Sequence, residues 1–257
     1  LEELAKHKEL GVKTVQAEDE IAGICTAIGA AFAGNFAVTT TSGPGLSLKS
    51  EALGLAVMAE LPLVVVDVQR GGPSTGLPTK TEQSDLMQAL YGRNGECPVV
   101  VLAASTPGDC FRFAFEAGKI AMEHMTPVIL LTDGFIANGS QPWRIPQMKD
   151  YPAICPPIVD EAPEGGFMPY VRNEKLARGW AFPGKVGLEH RVGGLEKDCV
   201  KGCISIDPDN HQKMVKTRAA KVALVAEDIP AQEVWGDAEG DLLVVGWGGT
   251  RGHLQNA

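Results

Sequence analysis

Apolar runs and amphipathic segments alternate along the first half of the chain. Three runs are almost wholly apolar and of strand length, as is typical of parallel strands covered on both faces: LPLVVVDVQ, PVVVLAA and TPVILLTDG. FAVTTTS, apolar only in its first three residues, is also predicted to form a strand. The pattern predicts helices from about Asp19 to Phe32, before FAVTTTS, and, between the strands, from the 43–45 turn to about Glu60 and over DCFRFAFEAGKIAMEHM. An opening helix in LEELAKHKEL and a short strand in VKTVQA precede these elements. The alternation predicts an α/β fold with a parallel sheet flanked by helices.

The pattern changes after about residue 147, where proline, acidic residues and turn residues replace the apolar runs. We therefore divide the chain into an α/β domain over residues 1–147, a connector over 148–225, and the start of a second α/β domain over 226–257. The connector ends in a helix predicted from about Asn210 to Val225. A strand, a glycine turn and a helix are predicted in DLLVVGWGGTRGHLQ. Both ends are expected to be cuts through a longer polypeptide.

Charge and hydropathy exclude several classes of partner. The formal net charge of -9, with no concentrated basic patch, argues against a nucleic-acid-binding surface. No apolar run approaches the roughly 18 residues of a membrane span, and no charged-then-apolar leader opens the chain. We expect a soluble, cytoplasmic protein that binds neither nucleic acid nor a membrane.

The cysteines and histidines give no clear metal or hydrolase motif. Six cysteines are scattered over a large chain, which suits a reducing compartment. Cys199 and Cys203 have C-x3-C spacing without a second pair, so they are either structural thiols, which we favour, or part of a metal or cluster site. The five histidines lack H-E-x-x-H spacing, and no G-x-S-x-G nucleophile turn is present. We expect no metal site on this chain.

Three acids, Glu18, Asp19 and Glu20, open the small-residue helix in QAEDEIAGICTAIGAAFAG. Negative charge in the first turn of a helix is stabilised by the helix dipole and by the free amides. We interpret Glu18 and Asp19 as capping and dipole charges. Whether Glu20, which follows the predicted strand VKTVQA, does more than this stays open from this segment alone.

Two glycine-containing segments follow the next predicted strands. Ser42, Gly43, Pro44 and Gly45 form a turn between a strand and a helix, where main-chain amides could hold an anion. Its spacing matches neither a P-loop nor a dinucleotide motif, so a plain turn and a ligand loop both stay open. Arg70 begins the loop RGGPSTGLPT, where an arginine could bind a carboxylate through two points or simply close the strand.

The order of these features resembles the pyrimidine-binding domain of thiamine diphosphate enzymes. An acid opens a small-residue helix, T-S-G-P-G follows the next strand, and an arginine loop follows the third. More narrowly, the chain resembles the alpha subunit of 2-oxoacid:ferredoxin oxidoreductases, and within them the 2-oxoglutarate branch. The matching stretches cover nearly the whole chain: QAEDEIA, TTTSGPGLSL, LPLVVVDVQRGGPSTGLPT, EQSDLMQALYG, TPVILLTDG, GLEHRVGGLEKD and DPDNHQKM. Residues 226–257 would begin a domain similar to the C-terminal domain of transketolase.

The resemblance implies a role for each candidate residue. Glu20, with Gly29 nine residues further along, would bond the aminopyrimidine ring of thiamine diphosphate and favour the tautomer that removes the thiazolium proton. The turn beside the cofactor would be formed by Ser42, Gly43, Pro44 and Gly45. Arg70 would hold the substrate carboxylate, and Ser74 and Thr75 would line the rest of the pocket.

Some motifs of the resembled enzymes are missing from this chain. It has no Y-P-I-T-P segment to supply a threonine to the substrate, and no G-D-G motif with a distant asparagine for Mg²⁺ and diphosphate. It also lacks a cysteine set for an iron-sulfur cluster. The resemblance therefore implies a shared thiamine diphosphate site and a beta subunit that holds Mg²⁺ and a [4Fe-4S] cluster. Ferredoxin, a 2-oxoacid and coenzyme A would be the other partners.

The implied activity is the oxidative decarboxylation of 2-oxoglutarate to succinyl-CoA with electron transfer to ferredoxin, or the reverse reductive carboxylation. 2-Oxoisovalerate or pyruvate could replace 2-oxoglutarate as the substrate. Two alternatives of other classes stay open. One is a non-catalytic scaffolding subunit of such a complex, and the other is a nucleotide-binding dehydrogenase built on the 41–45 loop.

Overall fold

A four-stranded parallel sheet forms the centre of the protein, whose computed structural model describes residues 1–257. The strands are β1 (Val38–Thr41), β2 (Leu63–Gln69), β3 (Val100–Ala103) and β4 (Pro127–Asp133). They lie in the order β1-β2-β4-β3, and every neighbouring pair is parallel. All four lie within segments that the sequence predicts to be strands.

Helices connect the strands and cover both faces of the sheet, so the predicted α/β fold is confirmed. The helix predicted between β1 and β2 is divided in two at Lys49. The helices are α1 (Glu20–Phe32), α2 (Gly43–Leu48), α3 (Ser50–Ala59), α4 (Leu86–Tyr91), α5 (Pro107–His124), α6 (Gly134–Asn138), α7 (Pro208–Leu224) and α8 (Arg251–Asn256).

The apolar residues of β2 alternate between two layers of the core. Leu63 and Val65 pack in one cluster with α1 and α3, whereas Val64 packs in the other with α5. Both faces of the strand are thus removed from water, which explains its nearly continuous apolar sequence. Because β1 and β2 are parallel, their carboxyl ends lead into the 42–45 turn and the 70–80 loop at the same edge of the sheet.

The segment between α6 and α7 packs against the α/β domain. It contains one short parallel pair of strands, β5 (Ile158–Val159) and β6 (Trp180–Ala181). Arg172 of this segment and Lys221 of α7 both bind the carboxylate of Glu60, which follows α3, at 2.5 and 2.6 Å. A buried ion cluster therefore attaches the predicted connector to the domain.

Glu60 is held ionised in this cluster. Burial works to raise the pKa of its carboxyl, but Lys221 and Arg172 outweigh that effect and lower the pKa to about 2. Two nitrogens of Arg172 each lie 2.5 Å from one carboxylate oxygen, so the contact is a fork. Arg178, also buried, donates to the main-chain oxygens of Ala59 and Glu60.

Two strands predicted from the sequence do not form. Residues 12–17, the VKTVQA segment, are irregular, and Val15 is exposed. Residues 241–246, the DLLVVG segment, also lack strand structure, and Val245 is exposed. Neither segment has a neighbouring strand, and without a ladder partner an extended apolar run cannot pair its main-chain groups.

The ends of the chain form short helical elements. The predicted opening helix is replaced by two 3-10 turns, Leu4–Lys6 and Lys8–Leu10. The predicted glycine turn and final helix are present, as the 3-10 turn Gly248–Thr250 and α8. None of the helices combines the length and the apolar character needed to span a bilayer. The division of the chain at residues 147 and 225 stays a prediction.

Candidate functional site

Asp19 caps the helix that carries Glu20. The Asp19 backbone is extended, and its carboxylate accepts a hydrogen bond from the main-chain nitrogen of Ala22 at 2.8 Å. Glu18 is exposed. The capping role predicted for Asp19 is confirmed, and Glu20, the first residue of α1, is not needed for it.

Glu20 lies against Gly45 of the neighbouring turn. A methyl group at Gly45 would lie 2.7 Å from Cγ and 3.2 Å from Cδ of Glu20, closer than a side chain can ordinarily approach. Glycine therefore allows the acid and the turn to meet. The half-buried Glu20 carboxylate makes no hydrogen bond or ion pair within the chain, which leaves both oxygens available to a ligand.

Gly29 does not share these surroundings. It lies nine residues further along α1, which is about 13 Å along the axis and half a turn around it. It is exposed, and a methyl group there would meet no atom outside its own helix within 4 Å. The glycine beside Glu20 is Gly45 rather than Gly29.

A buried lysine that sequence reasoning missed holds the main chain of Glu20. Lys49 is 1% exposed, and its Nζ donates to the main-chain oxygen of Glu20 at 2.8 Å. Burial lowers the pKa of Lys49, while the negative charges of Glu20 and Asp19 act in the opposite direction. The available signal was a single charge within the otherwise small and apolar helical segment around GLSLKS.

Arg70 and Ser42 meet where the ends of β2 and β1 lie side by side. Arg70 Nε donates to Ser42 Oγ at 3.3 Å, and Nη1 donates to the main-chain oxygen of Thr75. Ser42 precedes α2, but its hydroxyl does not cap that helix, and Pro44 occupies the first turn. One edge of the guanidinium is thus fixed between the turn and the loop, while Nη2 makes no bond within the chain.

The loop after Arg70 folds back on itself. Gly76 has a φ of 48°, and a methyl group on it would lie 2.8 Å from main-chain carbons of Gly71 and Gly72, so glycine is required there. Ser74 and Thr75 are exposed. Thr75 therefore meets Arg70 through its main chain, and the Ser74 hydroxyl makes no hydrogen bond within the chain.

Two buried acids that sequence reasoning also missed lie behind the turn. Asp67 of β2 is 0% exposed, and Asp85, at the start of α4, is 8% exposed. A methyl group at Gly43 would lie 2.5 and 2.6 Å from the two carboxylate oxygens of Asp85. Burial is the largest cause that raises the pKa of Asp67, to about 8, and the neighbouring Asp85 adds to it. The only sequence signal was one acid inside the apolar run LVVVDVQ.

The glycine turn near residue 248 closes one side of this sheet edge. Gln83 Nε2 lies 3.3 Å from Asp133 Oδ2 and 3.3 Å from the main-chain oxygen of Trp247. Asp133 also caps α6. The turn Gly248–Thr250 is thereby held at the carboxyl end of β4, which neighbours β2 in the sheet.

The groups that converge at this edge are carboxylates, a guanidinium and glycines rather than a set of metal ligands. Cys199 and Cys203 are free thiols. No group of three or more His, Cys, Asp or Glu side chains is arranged to hold a metal ion. The chemistry available to the site is proton transfer at a carboxyl and the binding of an anion.

Known proteins similar to this chain are oxidoreductase subunits. Residues 1–204 match the family described as pyruvate flavodoxin/ferredoxin oxidoreductase, thiamine diphosphate-binding. The chain is 58% identical to the 2-oxoglutarate oxidoreductase subunit KorA of Mycobacterium tuberculosis, over 100% of this chain and 39% of that protein. It is 36% identical to the 2-oxoglutarate synthase subunit KorA of Methanothermobacter marburgensis, over 91% of this chain and 61% of that protein.

A solved structure has the same fold. The 2-oxoglutarate:ferredoxin oxidoreductase from Magnetococcus marinus, with 2-oxoglutarate, coenzyme A and succinyl-CoA bound, aligns with a TM-score of 0.92 at 39% identity. The alignment covers 98% of this chain and 44% of that one, so this chain spans less than two thirds of each of these relatives. Because residues 1–204 match its thiamine diphosphate-binding region, the chain belongs to the pyruvate flavodoxin/ferredoxin oxidoreductase family.

Proposed function

We propose that this chain is part of the alpha subunit of a 2-oxoglutarate:ferredoxin oxidoreductase. The reaction is the oxidative decarboxylation of 2-oxoglutarate to succinyl-CoA with electron transfer to ferredoxin, or the reverse reductive carboxylation. The observation that supports it best is that Glu20 and Arg70 meet at one turn, where Glu20 lies against Gly45 and Arg70 binds Ser42. An acid and a cation at the two ends of the same four-residue turn suit a cofactor ring and a substrate carboxylate held side by side.

The residues around Glu20 fit the pyrimidine end of thiamine diphosphate. The Glu20 carboxylate is half-buried and unpaired within the chain, and it stands beside a turn that Gly43 and Gly45 keep free of side chains. We propose that Glu20 holds a proton at a ring nitrogen and that Ser42 and Pro44 border the ring. When bound, the cofactor supplies the carbanion and the electron sink for decarboxylation.

Arg70 suits the substrate carboxylate. Its Nε and Nη1 are engaged by Ser42 and Thr75, so the guanidinium is oriented before any ligand arrives. A fixed, always-charged guanidinium binds a carboxylate without a further cost in ordering the side chain. We propose that Nη2 of Arg70 reaches the carboxylate and that Ser74 and Thr75 line the loop side of the pocket. The proposal of 2-oxoglutarate as the 2-oxoacid is based on the names of the similar proteins.

Exposed apolar residues beside the site suit a partner subunit. Ser47 of α2 and Gln88 of α4 are joined by a hydrogen bond of 2.6 Å, and their neighbours Leu48 and Met87 are 51% and 64% exposed. Ile21, next to Glu20, is 48% exposed. Exposed apolar side chains grouped near a site are typical of a protein interface.

We propose that a beta subunit covers these residues. In the proposed complex the beta subunit holds Mg²⁺, the diphosphate end of the cofactor and a [4Fe-4S] cluster, as the resemblance implies; residues 1–257 include no G-D-G motif and no cysteine set for them. Ferredoxin and coenzyme A are the other partners, and the complex works in the cytoplasm.

The experiment compares Glu20→Gln with Glu18→Gln in the full-length subunit, reconstituted with its beta subunit. Viologen reduction is measured with coenzyme A and each of 2-oxoglutarate, pyruvate and 2-oxoisovalerate. Glu20→Gln is expected to lower kcat roughly 100-fold or more, because the amide cannot exchange a proton with the ring. Glu18→Gln, two residues away and exposed, is expected to retain wild-type turnover.

Three outcomes would contradict the proposal. Unchanged turnover in Glu20→Gln would remove the assigned role of this acid. Calorimetry that shows identical thiamine diphosphate binding in Glu20→Gln and in the wild type, with no turnover in either, would favour a scaffolding subunit. A wild-type complex that prefers pyruvate or 2-oxoisovalerate would replace the proposed substrate.

A further inference from the structure

Asp67 is a buried carboxyl group whose oxygens have no donor. It lies on β2, with Thr41 of β1 and Leu131 of β4 as its partners in the ladder. The residue is 0% exposed, and no nitrogen or hydroxyl group donates to either carboxylate oxygen. An ionised carboxylate without water, cation or donor is strongly disfavoured in a protein interior. A carboxyl group in this position therefore needs a proton.

The group that faces Asp67 is a second buried acid, Asp85. The two carboxyl groups are close enough to form a hydrogen bond once one of them carries a proton, and Oδ2 of Asp85 is also buried without a nitrogen or hydroxyl donor. Two ionised carboxylates offer four acceptors and no donor. One proton held between them changes one group into a donor to the other, and it satisfies the unpaired oxygens of both residues at once.

The surrounding chain holds Asp85 in place from the main-chain side. Gln69, two residues beyond Asp67, accepts a hydrogen bond from the main-chain nitrogen of Asp85 at 3.2 Å. The side-chain nitrogen of Gln69 donates to the main-chain oxygen of Thr132 at 3.1 Å, which ties the arrangement to β4. Both bonds keep Asp85, at the start of α4, next to β2.

The pair is next to the residues assigned to cofactor and substrate. Gly43 packs directly on the Asp85 carboxylate, so any side chain at position 43 would collide with the acid. Arg70 and Glu82 are the other charged groups that act on Asp85. The net charge of the two acids therefore acts electrostatically on the guanidinium of Arg70, which is proposed to bind the substrate.

We propose that Asp67 and Asp85 share one proton and that this pair is a positioning device for the substrate pocket, holding the Gly43 turn and limiting the negative charge beside Arg70 to one unit. The inference rests on the proposed function of Arg70. Neither acid contacts the substrate: both act through Gly43 and Arg70.

The pKa directions agree with a single shared proton. Burial raises the pKa of Asp67 to about 8, and burial also raises the pKa of Asp85, where the bond to Asp67 and the charge of Arg70 act in the opposite direction. As the pH rises through about 8, the pair loses its proton and gains a second negative charge. That charge opposes Arg70, so affinity for a 2-oxoacid falls.

Asp67→Asn is the sharpest test, because the asparagine amide is a permanent donor to Asp85 and fixes the charge of the pair at one unit. In the reconstituted complex, the KM for 2-oxoglutarate in the wild type should rise by up to about tenfold per pH unit above pH 8, with a smaller change in kcat. In Asp67→Asn the KM should stay nearly flat over the same range. Glu123→Gln, another buried acid, should keep the wild-type profile.

A second measurement does not depend on turnover. The raised pKa of Asp67 means that the contribution of its protonated form to stability is complete below about pH 4 and is lost as the pH rises through about 8. The unfolding midpoint of the wild-type complex should therefore fall more steeply between about pH 4 and about pH 8 than the midpoint of Asp67→Asn. If Asp67→Asn does not assemble, Asp85→Asn gives the same comparison, since its amide donates to Asp67.

The outcomes separate the two proposals. A complex with no 2-oxoacid activity would contradict the proposed function, while the pH dependence of unfolding would still decide whether the proton is shared. A wild-type pH dependence of KM in Asp67→Asn would overturn the positioning role and leave the function intact. Equal pH dependence of unfolding in wild type and Asp67→Asn would overturn the shared proton.

Discussion

The side-chain nitrogen of Lys49 lies 2.8 Å from the main-chain oxygen of Glu20, so a buried cation between α2 and α3 holds the first residue of α1. Gly45 lies in α2 and Lys49 follows that helix, so the bond joins the end of α2 to the residue whose side chain packs on Gly45. The position of the Glu20 carboxylate is therefore set by contacts on both sides, with Gly45 against its side chain and Lys49 on its main chain.

Lys49→Met is expected to impair catalysis more than stability. Methionine has a similar length and volume, so the free energy of unfolding should change by less than about 2 kcal/mol. Without the bond, Glu20 is less precisely placed, and kcat should fall roughly 10- to 100-fold with a smaller effect on the KM for 2-oxoglutarate. Lys119→Met on α5 is the matched control, for which we expect wild-type kcat. Viologen reduction and urea unfolding measure the two effects, and an unchanged kcat in Lys49→Met would contradict the positioning role.

Gly45→Ala is expected to abolish most activity while leaving the sheet intact. The added methyl group would collide with Thr41 Oγ1 and would lie 2.7 Å from Glu20 Cγ, so both the Thr41 hydroxyl and the acid must move away from the turn. We expect kcat to fall about 100-fold. Gly54→Ala on α3 is the matched control, because a methyl group there meets nothing within 4 Å and helix propensity should stabilise the protein by up to about 1 kcal/mol. The measurement is the steady-state turnover of the two reconstituted variants. Equal kcat in Gly45→Ala and Gly54→Ala would contradict a functional role for the contact between Glu20 and Gly45.

Arg70→Ala is expected to weaken binding of the substrate in the transition state. Loss of a charge-assisted contact is worth about 1.5 to 3 kcal/mol, which corresponds to a decrease of roughly 10- to 150-fold in kcat/KM. Arg70→Lys should recover little of this, because an ammonium cannot bind Ser42, Thr75 and a carboxylate with fork geometry. Arg112→Ala, at an exposed position on α5, is the control. A specificity constant for 2-oxoglutarate that matches the wild type would rule out the role of Arg70.

The sequence contains more information about the sheet than about the site. Strands β2 and β4 are predictable because both faces of each are buried, so nearly every position is apolar. The VKTVQA segment also has a local pattern that predicts a strand. A strand, however, needs a neighbouring strand to pair its main-chain groups, and the local sequence does not show whether such a neighbour exists.

The same distinction applies to the site residues. Glu20, the 42–45 turn and Arg70 each follow local signals, namely an acid at a helix start, a glycine turn and an arginine after a strand. Lys49 and Asp67 are single polar residues in apolar segments, and their roles depend on their tertiary contacts. Asp67 meets an acid 18 residues away on α4, a pairing that only the packing of α4 on the sheet creates.

Glu60→Gln is expected to destabilise the protein strongly and to change its response to acid. The substitution leaves Arg172 and Lys221 buried without their carboxylate, and removing one partner of such a cluster costs about 3 to 5 kcal/mol. Because the folded-state pKa is lowered to about 2, the stabilisation by ionised Glu60 is present above about pH 4.5 and is lost as the pH falls towards 2.

Glu51→Gln, at an exposed position of α3, is the control and should change the free energy of unfolding by less than about 1 kcal/mol. Urea unfolding at several pH values between 2 and 7 tests this, since stability in Glu60→Gln should depend less on pH than in the wild type. Equal pH dependence in the two proteins would show that the cluster does not keep Glu60 ionised.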